Sequence, residues 1–115
     1  MSHSDKLQVD QAELAAAWQR VLPERIAPGD RCEVKADEAN QHTLRITIHT
    51  AGHQMYDFDF KVTYVDSREV RVELIDVEKD NVSVDERTDI IQQLIADYQR
   101  HLHECAQALH DLTHA

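Results

Sequence analysis

The chain has 115 residues, 42% hydrophobic and 30% charged, with 22 acidic against 12 basic side chains and a net charge of −10. That length supports one domain with its own core, and the acidic balance argues against nucleic acid and against anionic membrane surfaces as partners. No apolar run is long enough to span a bilayer, no signal-type segment follows Met1, and two cysteines do not make a disulfide framework, so a cytoplasmic protein with reduced thiols at Cys32 and Cys105 is expected.

Residues 1–9 read as a flexible N-terminus and residues 10–115 as a single α+β domain. Asp10 followed by Glu13 predicts a helix start, and Leu14, Trp18, Val21 and Leu22 line one face of a short helix ending before Pro23. Residues 23–30 contain both prolines and Gly29 and form the first loop. Four period-two segments follow: Cys32, Val34, Ala36; then Leu44, Ile46, Ile48; then Tyr56, Phe58, Phe60, Val62, Tyr64; then Val70, Val72, Leu74.

Short polar connections between these segments predict an antiparallel meander. Keeping the apolar sets on one face pairs Ile48 with Phe58, Arg45 with Lys61, and Lys61 with Glu73. A matching register for the first hairpin puts Glu33 opposite Arg45, so that Glu33, Arg45, Lys61 and Glu73 form one row on the outer face. The predicted fold is a two-layer α+β sandwich. A four-stranded antiparallel meander carries a short N-terminal helix and a long C-terminal helix on one face, in the order α-β-β-β-β-α.

Residues 83–115 carry the strongest periodic signal. Ser83 and Glu86 form a capping-box pattern, and Ile91, Leu94, Ile95, Tyr98, Leu102, Cys105, Leu109 and Leu112 fall on one stripe. No Gly or Pro interrupts the run. A helix of about 30 residues is about 45 Å long, whereas a sheet of seven-residue strands offers a diagonal of about 30 Å. The last turns should therefore overhang, leaving Leu109 and Leu112 as candidates for a homodimer interface.

Four groups of residues invite a functional reading. His103, His110 and His114 share the helix face opposite the apolar stripe, where they point to water and lack the surroundings of a metal site. Asp97, His101 and Cys105, with Glu104, offer carboxylate, imidazole and thiol one turn apart, resembling half a metal site without matching a zinc signature; an ordinary i,i+4 pairing of Asp97 with His101 is the simpler expectation. Around the Gly52 hairpin stand His49, His53, Asp57 and Asp59. The register sets His49 opposite Asp57, but with no nucleophile at hand this reads as a surface ion pair. Finally, the aromatic strand with Trp18 and Tyr98 reads as core rather than as the wall of a ligand cavity.

The composition and the helix together favour a small acidic cytoplasmic protein that acts by protein association, as a homodimer or with another protein, without catalysis or a cofactor. The alternative is a divalent-metal-binding protein or metal-dependent enzyme using Asp97, His101 and Cys105. A third reading is a small-molecule binder between sheet and long helix.

Overall fold

The structure, a computed structural model, describes residues 7, 9–51, 56–80 and 82–113. Helix α1 spans Gln11–Val21, capped by Asp10, whose carboxylate accepts from the Glu13 amide. A single 3-10 turn, Leu22–Glu24, carries Pro23 where no intrahelical amide is needed and ends the helix. Five strands follow: β1 Arg31–Ala36, β2 Thr43–His49, β3 Tyr56–Tyr64, β4 Val70–Lys79 and β5 Val82–Ser83. They form one antiparallel sheet in sequence order. Helix α2, Asp89–Ala108, and the one-turn α3, His110–Thr113, complete the chain.

The α+β architecture and the meander agree with the sequence reading, with one strand more. Strand β5 lies where the long helix was expected to begin. Ser83 does not cap that helix; its hydroxyl donates to Asp76 at 2.7 Å. Thr88 is the cap instead, accepting from the Ile91 amide, and the chain needs residues 84–88 to cross from the sheet edge to the inner face. At 20 residues, α2 is about 30 Å long, which matches the sheet diagonal rather than exceeding it. The helix ends at Leu109, and that side chain is only 6% exposed. Leu112 is half-buried against the same core. The expected overhang of exposed leucines is therefore absent.

At the other end, the stretch expected to be loose contributes Leu7, which is buried, and Val9, which packs against the core. Residues 1–6 and 8 lie outside the described residues. The two central registers follow the apolar pattern: Ile48 faces Phe58, Arg45 faces Lys61 and Lys61 faces Glu73. The first hairpin is shifted by two residues, so Lys35, not Glu33, stands opposite Arg45. Arg45 finds its counter-ion in the loop, with Asp37 at 3.7 Å.

The core lies between sheet and helices. Trp18, Phe58, Phe60, Leu14, Ile46, Ile48 and Leu102 are essentially inaccessible. Phe58 and Phe60 stack along β3, and Tyr98 of α2 meets both edge-on, 5.1 and 6.4 Å between centroids. The aromatic strand is thus the core. Polar ties cross the layers at its two ends. Trp18 donates its indole N–H to the Tyr64 hydroxyl at 3.0 Å. Tyr98 donates to Asp30 at 2.9 Å and shares a 3.0 Å hydrogen bond with Thr50. Asp30 also accepts from the Ala51 amide, and Gly29 beside it has φ +92, with a Cβ there meeting the Ala51 side chain at 3.2 Å. Among the described residues, no helix is long and apolar enough to cross a membrane.

Candidate functional site

The two edges of the sheet are built differently. The pairing of Asp37 with Thr43, through a 3.0 Å bond from the Asp37 amide, sets the alternation along β1. It turns the backbone groups of Cys32 and Val34 away from β2. Gln19 of α1 takes one group of each: its carboxamide nitrogen donates to the Cys32 carbonyl at 3.1 Å, and its oxygen accepts from the Val34 amide at 2.8 Å. Two turns earlier on the same helix, Gln11 donates to the carbonyls of Asp37, Asn40 and Thr43. The side chains of α1 thus do part of what a further strand would do for β1.

Strand β4 has no such cover along its first half. The Val65 amide donates to the Glu69 carbonyl at 2.9 Å, so Arg71 and Glu73, opposite Thr63 and Lys61, exchange their hydrogen bonds with β3. The N–H and C=O groups of Val70, Val72 and Leu74 then point the other way. Strand β5 reaches only Glu78 and Lys79, and Val84 adds one bond to Val77. Among the described residues no strand pairs with residues 70–76 on that side. Val72 and Leu74 are only half-buried at the thin margin of the core. The exposed large hydrophobic side chains cluster nearby in sequence: Val65 in the turn before β4, Ile75 in it, Val82 in β5, then Ile90 at the start of α2.

The residues singled out on α2 do not converge. Asp97 accepts from Gln93 at 3.1 Å and lies 3.7 Å from Arg100. His101 pairs through Nδ1 with Glu104 at 3.0 Å, which holds the Glu104 carboxyl below its usual range. Cys105 is fully buried, and burial above all pushes its thiol up to about 12, with Arg25 opposing and Cys32 adding to the shift. A thiol that keeps its proton is a poor metal ligand. Among the described residues, no three His, Cys, Asp or Glu side chains are grouped as a metal would need. Both cysteines are free thiols.

On the outer face of the sheet, His49 Nδ1 lies 2.6 Å from Asp57 and Nε2 lies 3.9 Å from Glu33. Asp59 accepts from Thr47 at 2.7 Å. Glu78, opposite Asp57, is pushed above its usual range by desolvation and then by Asp59, Asp76 and Asp57. The expected pair of His49 with Asp57 is present, on an open face; His53 lies outside the described residues.

A groove of about 730 Å³ opens between the turn before β4 and the end of α2. Tyr64, Arg68, Val70, His103, Gln107 and His110 line most of it. His103 and His110 are exposed, as their helix face predicts, but they border a concavity rather than bare solvent. His114 lies outside the described residues. Arg68 and Tyr64 were missing from the sequence reading as groove residues, because nothing in strand periodicity reports what a helix end leaves uncovered. Comparison of the chain with protein-family models, curated proteins and solved structures gave no match in any of the three.

Proposed function

We propose that this acidic chain is a non-catalytic protein-association module that pairs with a second copy of itself. The observation that carries the reading is the inequality of the sheet edges. One is sealed by Gln11 and Gln19, while the other leaves backbone donors and acceptors open beside half-buried Val72 and Leu74. An open edge flanked by apolar side chains is a template for another chain. The basis for association moves accordingly, from the end of the long helix to the far edge of the sheet. Size-exclusion chromatography with light scattering tests it: a dimer mass at tens of micromolar is expected, and a monomer throughout would overturn it.

A second reading rests on the groove. Its volume suits a small organic ligand, and two imidazoles with an arginine outnumber the one carboxylate of the lining, Glu69, which favours an anionic one. A thermal-shift screen of small carboxylates and phosphate esters checks this reading. Stabilisation removed by His103→Ala supports it, and no shift with any of them refutes it.

A further inference from the structure

Resting on the homodimer reading above, we infer that two copies join β4 to β4, antiparallel, about a twofold axis passing through Val72. The two sheets then become one continuous sheet. The inference comes from which groups face outward and from how the charges alternate between them.

The outward backbone groups belong to Val70, Val72 and Leu74, as the β3–β4 pairing dictates. In an antiparallel pair centred on Val72, Val72 meets the partner's Val72, and Val70 meets the partner's Leu74. These are the hydrogen-bonded positions, so every outward N–H and C=O of the segment is used. The half-buried side chains of Val72 and Leu74 would then cover each other on the inner face, extending the core across the axis.

The intervening residues choose the register. Centred on Val72, Arg71 stands opposite the partner's Glu73, and symmetry supplies the same pair again. Both side chains are exposed on the outer face, at the closely spaced non-hydrogen-bonded position. Moving the axis to Arg71 sets arginine against arginine, and moving it to Glu73 sets glutamate against glutamate. Moving it to Val70, where β4 begins, sets Val72 opposite the partner's Arg68, in the turn before the strand. Moving it to Leu74 runs into the register shift beside Phe60, where Ile75 is the extra residue, and then into β5. Only the Val72 axis satisfies backbone, apolar face and charge together. The arrangement is isologous and closes on itself, so it ends at two copies.

The test uses single charge reversals. Arg71→Glu alone puts two acidic pairs across the axis, and Glu73→Arg alone puts two basic pairs there. Each should weaken self-association about tenfold or more, given two pairs switched from attraction to repulsion. Mixed together, the two variants form heterodimers in which both pairs are again complementary, with affinity within about threefold of the original. Native mass spectrometry reads all three species. If the unmodified chain dimerises but the variants alone do so equally well, or their mixture no better, this interface is wrong and the association reading stands. If the unmodified chain is monomeric, both fall.

Glu73→Arg also faces Lys61 within its own chain, so amide hydrogen exchange on the unmodified protein provides a measurement free of folding effects. Protection at Val70, Val72 and Leu74 should rise with protein concentration, while that at Cys32 and Val34 stays constant. Protection at Val70, Val72 and Leu74 that is independent of concentration would overturn the interface.

Discussion

The β1 and β4 edges present the same backbone chemistry and receive opposite treatment. At β1, a preceding helix lays Gln19 along the strand, and the Cys32 carbonyl and the Val34 amide are bonded within the chain. At β4, the following segment crosses beneath the sheet after a two-residue strand, and among the described residues no strand pairs with the outer side of residues 70–76. The difference lies in how the chain enters and leaves the sheet. A helix that arrives beside the first strand can reach its edge, whereas α2 is drawn inward by Ile91, Ile95, Tyr98 and Leu102. An edge left open beside apolar side chains is where association should concentrate.

The strongest challenge to that contrast is Leu109→Ala. If Leu109 belongs to the core of one chain, its loss should lower unfolding free energy by about 2–5 kcal/mol and leave dimer affinity nearly unchanged. Chemical denaturation and sedimentation on the same samples separate the two. A variant of normal stability that fails to dimerise would move the interface to the helix end.

Alkaline titration follows in size and probes the interior that both edges share. Burial pushes the hydroxyls of Tyr64 and Tyr98 up to about 12 from 10.0, and the Cys105 thiol up to about 12 from 9.0. Each group binds its proton more tightly folded than unfolded, so stability from this source is complete below pH 9 and is lost as pH rises toward 12. Denaturation midpoints between pH 8 and 12 should decline over that range. In Cys105→Ala the part of the decline that starts near 9.0 should shrink to what Cys32, also raised by burial, contributes.

Gln19→Ala tests the sealed edge directly. Two backbone groups lose their partner to water, for about 1 kcal/mol of stability, and a second open edge appears. Association beyond the dimer, rising with concentration in light scattering, is the expected outcome; an unchanged mass would show that Gln19 does not protect the edge. The smallest effect belongs to Lys35→Glu. Lys35 stands opposite Arg45, so reversing it should raise stability by about 0.2–1 kcal/mol, seen as a higher melting temperature.

The meander, both central registers and α1 were legible because apolar alternation and caps are local signals. Two things hid the rest. The inward residues of β4 run Val70, Val72, Leu74 and then Val77, because the register shift at Ile75 adds a residue. That break in period conceals the second half of the strand and makes β5 look like a helix start. A capping-box pattern at Ser83 then competes with Thr88, and only the hydrogen bond from Ser83 to Asp76 settles the contest. The β1 register differs for an electrostatic reason: charge pairing favours Glu33 opposite Arg45, whereas the counter-ion of Arg45 comes from the hairpin loop at Asp37. Among the candidate sites, the His49–Asp57 pair followed from register, but the partners of Asp97 and His101 did not. Choosing between spacings of three and four on a helix depends on rotamers.

The bond between Trp18 and Tyr64 gives the chain an internal optical reporter. Its single tryptophan is fully buried and spends its indole N–H on a phenol, so emission should be blue-shifted and should redden when α1 lifts from β3. The bond ties α1 to the end of β3, where Tyr64 stands opposite Val70 of β4. Fluorescence would therefore follow the docking of α1 on the sheet, and mass measurements the association, in one sample.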